Sequence, residues 1–323
     1  MSEIPLLHVS GLTAGFRNDK GKINVIEDVS FSLKPGETLG LVGESGCGKS
    51  VTAQTIMGLL PRPPAFVEQG SIRFEGEDLV AASAKRMQKI RGDRIGMIFQ
   101  EPMTSLNPTM TIGAQIAEVL FLHRGQGYGQ AVPLVIETLK LVGIGNAERR
   151  LDQYPHELSG GLRQRVMIAM AIICKPDLLI ADEPTTALDV TIQAQIMDLL
   201  QNLQSELGLA ILLITHDLGV VANLCHRIAV MYAGRIVETG TTRAVLTSPR
   251  HPYTAGLLAS STRSTLKGEM LSSIPGMVPP PGSRGTGCSF ASRCPRASER
   301  CRNTQPELIE GVACWHPEIA HAA

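Results

Sequence analysis

The sequence has few aromatic residues, no long apolar run and no excess of charge. Aromatic side chains make up 4% of its 323 residues, and 30 basic residues balance 30 acidic ones. Balanced charge provides no bulk electrostatic attraction for nucleic acid or for an anionic membrane surface. The longest apolar run, residues 166–174, is far shorter than the roughly 20 residues of a membrane-spanning helix. The first residues also lack the basic and apolar blocks of a signal peptide, so we expect a soluble protein.

Cysteine is sparse in most of the chain and concentrated near its end. Four of the seven cysteines follow residue 287, namely Cys288, Cys294, Cys301 and Cys314. Because no export signal is apparent, we expect a reducing compartment, where clustered cysteines indicate metal binding before disulfide formation. The spacing of these four residues is compatible with an iron–sulfur cluster or with zinc, although zinc sites usually have tighter pairs. Unmetallated cysteines are the third possibility.

The most informative stretch is a glycine-rich segment between an apolar run and a helical pattern. Its residues are Gly43, Glu44, Ser45, Gly46, Cys47, Gly48, Lys49 and Ser50. Residues 38–42 are typical of a buried strand, and residues 51–60, which begin with Val51, repeat apolar side chains at helical spacing. A strand, a glycine-rich turn and a helix form the context of a phosphate-binding loop, where backbone N–H groups and a helix start surround an anion. We expect Lys49 to reach the β and γ phosphates and Ser50 to bind Mg²⁺.

Polar side chains follow three further apolar runs. Gln100 comes after residues 95–99, Asp182 and Glu183 end the run that begins at residue 178, and His216 follows residues 209–215. Ligands of open parallel sheets gather at such strand ends. We expect Asp182 to bind the Mg²⁺ shell and Glu183 to orient and deprotonate the attacking water. Gln100 is suited to holding a metal-bound or attacking water, and His216 to donating a hydrogen bond to a γ-phosphate.

A second candidate anion site opens the helix that runs towards Cys174. Ser159 is a good N-cap, and Gly160 and Gly161 leave the first helical N–H groups uncovered. The alternative is an ordinary glycine-containing cap. Phe16 lies upstream of the phosphate loop, where its ring suits stacking on a purine base and equally suits packing in a core.

Taken together and in this order, these motifs resemble an ATP-binding cassette (ABC) ATPase. The discriminating stretch is residues 159–164, with support from residues 187–189. The resemblance implies an α/β fold with a RecA-like parallel-sheet core, an N-terminal antiparallel β subdomain and an inserted helical subdomain at about residues 101–165. It places the nucleotide-binding domain at residues 1–262 and a small cysteine-rich extension at residues 263–323.

The family resemblance also implies how the motifs cooperate. Two cassettes pair head to tail, so that Ser159, Gly160, Gly161 and Gln164 contact the ATP of the partner and Asp189 lies at the dimer interface. ATP is then bound by Phe16, by residues 43–51 and by Asp182, and Mg²⁺ by Ser50, Gln100 and Asp182. Phe16 replaces the usual tyrosine of the adenine-stacking loop, and Cys47 takes a place often held by serine. We hypothesise that Cys47 makes activity sensitive to thiol reagents.

Residues 97–108, 154–158 and 250–254 narrow the resemblance to the oligopeptide, dipeptide and nickel importer branch. The closest likeness is to the D-type ATPases of dipeptide importers. It implies a second, F-type ATPase subunit, two transmembrane permease subunits and a periplasmic or extracellular substrate-binding protein. It also implies a peripheral position at the cytoplasmic face of the membrane and a [4Fe–4S] cluster on the four tail cysteines. We expect no nucleic-acid partner, because the charge of the chain is balanced. The alternatives are import of nickel or another small solute, a soluble ABC ATPase without a transport role, and a binding module without catalysis.

Overall fold

The computed structural model describes residues 5–19, 21–186, 188–260 and 273–318. The chain forms two compact units. The first comprises residues 1–34, 38–81 and 214–323, and the second comprises residues 35–37 and 82–213. The expected domain boundary between residues 262 and 263 lies outside the described residues and stays a prediction, and Ala187 is also outside them.

The secondary structure alternates between strands and helices through most of the chain. The strands are β1 (Leu7–Asn18), β2 (Gly21–Leu33), β3 (Thr38–Val42), β4 (Ala65–Phe74), β5 (Glu77–Asp78), β6 (Ile95–Ile98), β7 (Leu178–Asp182), β8 (Ala210–Thr215), β9 (Arg227–Tyr232) and β10 (Arg235–Thr241). The helices are α1 (Lys49–Ile56), α2 (Ala84–Ile90), α3 (Pro102–Ser105), α4 (Ile112–Arg124), α5 (Tyr128–Leu141), α6 (Ala147–Arg150), α7 (Gly160–Ile172), α8 (Val190–Leu207), α9 (Leu218–Leu224), α10 (Thr242–Thr247), α11 (Pro252–Ala259) and α12 (Glu299–Asn303).

The first unit contains the N-terminal antiparallel strands that the family resemblance implies. They form a four-stranded sheet in the order β2-β1-β4-β5. In the same unit β3 pairs in parallel with β9, and β9 pairs antiparallel with β10 through a short turn. Every residue of β3 is buried, which explains why its sequence reads as a continuous apolar run rather than an alternating one. This buried strand leads directly into the glycine-rich loop.

In the second unit, β6 and β7 form a parallel pair that determines the position of two strand-end residues. The register joins Ile95 to Leu178 and Ile98 to Ala181. Because parallel strands end at the same edge, Gln100 and Glu183 emerge next to each other. Gly96 lets α7 approach this pair, because a Cβ at that position would lie 2.3 Å from the carbonyl oxygen of Ala171.

Several expected boundaries differ from the structure. Helix α1 ends at Ile56 rather than near residue 60, because Gly58 adopts a left-handed φ of 59°. Phe99 ends the apolar run at residues 95–99, which predicts a buried strand over the whole run, but it lies beyond β6 and is 40% exposed, so the prediction is wrong for this residue. Helix α4 continues to Arg124 and α5 begins at Tyr128, so the connection between them is short. Two helices, α10 and α11, follow β10. In the parts of the chain that the structure describes, none of the helices has the length and apolar character of a membrane span.

Asp189 caps the longest helix described. Its Oδ1 accepts a hydrogen bond from the backbone N–H of Ile192 at 2.9 Å, which satisfies a donor at the start of α8. We expect Asp189→Ala to lower the free energy of unfolding by about 1 kcal/mol. The measurement is the urea-unfolding midpoint of the full chain. Asp198→Ala, an exposed position in the middle of α8, is the matched control, and equal shifts for the two variants would contradict the capping role.

Candidate nucleotide-binding and catalytic site

The phosphate loop follows β3 and is shaped by glycines that other residues cannot replace. Gly43 has a φ of 154°, and a Cβ there would lie 2.2 Å from the carbonyl oxygen of Met231 on β9. Gly48 has a φ of 111°, and its Cβ would lie 2.8 Å from a methyl group of Ile26 on β2. Both positions therefore require glycine for space as well as for backbone conformation. Gly46, with a φ of 77°, faces open space.

Lys49 lies at the first position of α1 and is only 4% exposed. Its Nζ donates hydrogen bonds to the carbonyl oxygens of Gly43 at 2.8 Å and Glu44 at 3.1 Å. The ammonium group is thus held inside the curve of the loop, against its own backbone. Ser50 and Val51 follow on the first turn of α1 and are half-buried. This half of the site combines a buried cation, a helix start and a hydroxyl group.

Cys47 is packed inside the loop and 1% exposed. Its carbonyl oxygen accepts a hydrogen bond from the N–H of Gly234 at 2.8 Å, which ties the loop to the turn between β9 and β10. Burial raises the pKa of the Cys47 thiol, and the nearby Lys49 lowers it by less. The thiolate is the reactive form of cysteine, so this environment disfavours reaction with thiol reagents.

The second unit brings Gln100 and Glu183 into contact, as the parallel pairing of their strands requires. The Gln100 Nε2 donates to Glu183 Oε2 at 3.3 Å, and the Thr186 hydroxyl donates to the same oxygen at 2.9 Å. Glu183 has a left-handed φ of 46°, which is uncommon for a residue with a side chain. Asp182, one residue earlier, is 3% exposed. A carboxylate oriented by two donors beside a second, buried carboxylate is suited to proton abstraction and cation binding.

The start of α7 confirms the expected cap. The Ser159 hydroxyl accepts a hydrogen bond from the N–H of Leu162 at 3.4 Å, and Ser159 and Gly160 are exposed. Gly161 packs against α8, because a Cβ there would lie 2.9 Å from Ile192 Cγ2. Gln164 differs from these residues, since it is 1% exposed and its Nε2 has no hydrogen-bond partner among the described residues.

The remaining candidate residues lie in the first unit. His216 follows β8 and is exposed. Phe16 is half-buried on β1, where its neighbours across the sheet are Ile23 on β2 and Ala65 on β4. Their contacts with a nucleotide stay predictions.

Sequence reasoning missed the residues that support the phosphate loop from the C-terminal part of the chain. Arg293 donates to both carboxylate oxygens of Glu44, and the N–H of Glu44 donates to the Tyr253 hydroxyl at 2.9 Å. Tyr253 belongs to the segment 250–254, which the sequence marks as a feature of the importer branch without indicating its position. Nothing in the local pattern around Arg293 indicates a contact with the loop.

The four tail cysteines line one small cavity, together with His251, Phe290 and Trp315 among others. Burial raises the pKa of Cys288 to about 11, and the neighbouring cysteine thiols act in the same direction. Among the described residues, no group of three or more histidine, cysteine or acidic side chains is arranged to hold a metal ion. The structure therefore places the four thiols around one cavity but does not arrange three or more of them as ligands of a single ion.

Comparison with known proteins decides the family. Residues 26–186 match the family described as ABC transporter, and residues 237–301 match the oligopeptide/dipeptide transporter C-terminal region. The chain is 53% identical over 306 residues to the oligopeptide transport ATP-binding protein OppD of Bacillus subtilis, covering 94% of this chain and 86% of the relative. It is 51% identical over 315 residues to the dipeptide transport ATP-binding protein DppD of the same organism, covering 96% and 94%. The chain belongs to the ABC transporter ATPases.

Solved ABC cassettes confirm the expected fold class. The dimeric ATP-binding cassette MJ0796, in a post-hydrolysis state with ADP and Pi, is similar with a TM-score of 0.65 and 28% identity, covering 73% of this chain and 99% of that one. CbiO1 of Clostridium perfringens, part of the ABC transporter complex CbiONQ, has a TM-score of 0.65 and 29% identity, covering 76% and 92%. The P-loop cassette fold, the ATPase activity and the binding of ATP with Mg²⁺ follow from membership of this family.

The burial of Cys47 leads to a prediction for this ABC ATPase. We expect N-ethylmaleimide at pH 7 to leave Cys47 unmodified in the folded chain, because the thiol is enclosed and its raised pKa keeps it protonated. Labelling should stay slow as the pH rises towards the raised pKa and become fast in urea. Peptide mapping by mass spectrometry measures the fraction of Cys47 that is labelled. Rapid alkylation of native Cys47 with loss of turnover would contradict this prediction and support the hypothesis of thiol sensitivity.

Proposed function

We propose that this ABC ATPase supplies the energy for a bacterial importer of dipeptides and oligopeptides. The observation that carries the proposal is the match of residues 237–301 to the oligopeptide/dipeptide transporter C-terminal region. Relatives above 50% identity over more than nine-tenths of this chain are named as oligopeptide and dipeptide transport proteins, which supports the same substrate class.

In the second unit, Glu183 is the proposed general base for the attacking water. Hydrogen bonds from Gln100 and Thr186 to one carboxylate oxygen hold the side chain in place, which suits a base that must meet water at a fixed position. Asp182 and Gln100 are the proposed contributors to the Mg²⁺ shell, since carboxylate and amide oxygens are suitable ligands for this ion. When bound, Mg²⁺ neutralises phosphate charge.

In the first unit, residues 43–51 are the proposed cradle for the phosphates, with Ser50 as the Mg²⁺ ligand. Lys49 would exchange its hydrogen bonds to Gly43 and Glu44 for bonds to the β and γ phosphates. Phe16 is the proposed support for adenine, and His216 the proposed donor to the γ-phosphate. Both side chains are at least partly exposed, as these roles require.

The start of α7 is the proposed contact with the ATP of a second cassette. Ser159 and Gly160 are exposed there, and Gly161 follows. Gln164 is buried, so its amide would reach a nucleotide only after rearrangement. Asp189 is the proposed interface residue. ATP would close the cassette dimer, closure would move the permease, and hydrolysis with phosphate release would reset it.

We propose a second, F-type ATPase subunit, two permease subunits and a periplasmic or extracellular substrate-binding protein as partners. These partners fit a chain that is a peripheral subunit at the cytoplasmic face of the plasma membrane.

The test uses the complete importer in proteoliposomes with its binding protein and a radiolabelled peptide. Glu183→Gln is expected to lower ATP turnover on the order of 10²–10⁴-fold, because the general base is lost, while ATP binding is retained. Glu206→Gln, an exposed position on α8, is the control and should behave like the wild type. Wild-type turnover in Glu183→Gln would exclude this residue as the base. Uptake of nickel but not peptide, or copurification with ribosomes or DNA instead of permeases, would contradict the proposed substrate class or transport role.

We propose further that Cys288, Cys294, Cys301 and Cys314 hold a [4Fe–4S] cluster with a structural role. The four thiols line one cavity, as a shared group requires. Such a cluster binds each thiolate at a different iron, so its ligands need not converge on one point as the ligands of a single ion do. It would hold together a tail segment that has little regular secondary structure.

Anaerobically purified protein is expected to contain roughly four iron and four sulfide ions per chain and to show broad visible absorbance. Cys301→Ser should lose the iron because a ligand is missing. Cys225→Ser, which removes a buried cysteine outside the tail cavity, should retain it. Metal analysis that finds one zinc ion per chain and no iron would overturn the cluster.

A further inference from the structure

The second residue of the phosphate loop is bound by an arginine from the C-terminal tail. Arg293 Nη1 donates to Glu44 Oε2 at 2.7 Å, and Nη2 donates to Glu44 Oε1 at 3.0 Å. Two parallel hydrogen bonds between a guanidinium group and a carboxylate form the strongest and most directional kind of ion pair. The Arg293 side chain is only 4% exposed, whereas Glu44 is 30% exposed on the loop.

The orientation of Arg293 is fixed by contacts other than its ion pair with Glu44. Its Nε donates to the carbonyl oxygen of Pro275 at 2.8 Å, and Nη2 also donates to that of Ile274 at 3.2 Å. The Cζ atom lies 5.8 Å from the centre of the Tyr232 ring, within the range of a cation–π contact. The guanidinium group is therefore fixed by the tail and by β9, and it presents a rigid surface to the loop.

A second contact acts on the backbone of the same loop residue. The N–H of Glu44 donates to the hydroxyl of Tyr253, and the Tyr253 ring packs against Tyr232 at 4.6 Å and Phe290 at 5.4 Å between ring centres. Phe290 comes from the tail, three residues before Arg293. The side chain and the backbone of Glu44 are thus both held by residues from the last third of the chain.

The electrostatic consequence concerns the anion that the loop must bind. A carboxylate at the second loop position would repel a triphosphate if its charge were uncompensated. Because Arg293 is buried, its charge is poorly screened by solvent and acts on Glu44 at short range. When Arg293 neutralises Glu44, no carboxylate of the loop offsets the positive charge of Lys49.

We propose that Arg293 is a positioning residue for ATP, which cancels the charge of Glu44 and fixes the phosphate loop from the tail. It acts through Glu44 and not by touching the nucleotide. The inference rests on the assignment of residues 43–51 to the ATP site and goes beyond it by making the tail part of that site.

The experiment measures the Michaelis constant (KM) for ATP in the assembled importer. It compares the wild type with Arg293→Gln, Arg293→Lys, Glu44→Gln and the double variant Glu44→Gln/Arg293→Gln. Arg293→Gln should raise KM roughly tenfold, because it leaves a carboxylate without its buried partner, while kcat stays near that of the wild type. The double variant should recover most of the lost affinity, since the repulsive charge is gone. Arg293→Lys should have an intermediate KM, because a point charge cannot make the two parallel bonds.

Arg284→Gln is the matched control. Arg284 is another tail arginine, 6% exposed, and it pairs with Glu27 and the carbonyl oxygen of Val25 on β2 instead of with the loop. It should lower the melting temperature in the same way as Arg293→Gln but leave KM unchanged. An equal rise in KM for Arg284→Gln would show a general effect of loosening the tail and would overturn the proposal.

Two further results would also overturn it: a wild-type KM in Arg293→Gln, and no recovery in the double variant. If Arg293→Gln does not fold, the KM of Arg293→Lys tests the proposal instead. It should raise KM in the wild-type background and leave KM unchanged in the Glu44→Gln background, whereas equal changes in both backgrounds would refute the proposal. A wild-type chain that binds no fluorescent ATP analogue would refute the ATP-site assignment itself, a failure distinct from that of Arg293 alone.

Discussion

The close approach of the phosphate loop to β9 is the constraint on which the nucleotide half-site depends. Gly43 brings its backbone so near to Met231 that a single additional carbon atom would overlap a carbonyl oxygen. From that point the loop is tied to the β9–β10 turn by the bond from Gly234 to Cys47. This contact leaves the loop little freedom, and it explains why Cys47 is enclosed although it lies in the middle of the motif. Rigidity here serves anion binding, because N–H groups that are already oriented need no rearrangement to meet phosphate.

In the second unit, the backbone also holds a functional group in a fixed orientation. Pairing of β6 with β7 brings two strand ends together, and the left-handed backbone at Glu183 then turns its carboxylate into reach of Gln100 and Thr186. Such a conformation is unfavourable for a residue with a side chain and persists only where the surroundings enforce it. The strained backbone coincides with the residue proposed as the base.

Much of this arrangement could be predicted from local sequence. Strand β3, the start of α7 at Ser159 and the contact between Gln100 and Glu183 follow from apolar periodicity, capping preference and the rule that parallel strands end at a common edge. Features that tertiary packing decides could not be predicted in this way. Neither the exposure of Phe99 nor the burial of Gln164 is visible in their neighbours along the chain. The ion pair between Glu44 and Arg293 joins residues 249 positions apart, a separation that no local pattern reports.

That separation has a consequence for the order in which the protein is made. The glycine-rich loop leaves the ribosome long before Arg293, which lies 249 residues later. During most of synthesis Glu44 therefore lacks the guanidinium group of Arg293, and a nascent chain that already contains every residue of the motif lacks this contact. On the proposed role of Arg293, full affinity for nucleotide is acquired only when the tail has docked, so that a truncated chain would be a weaker competitor for ATP than a finished one.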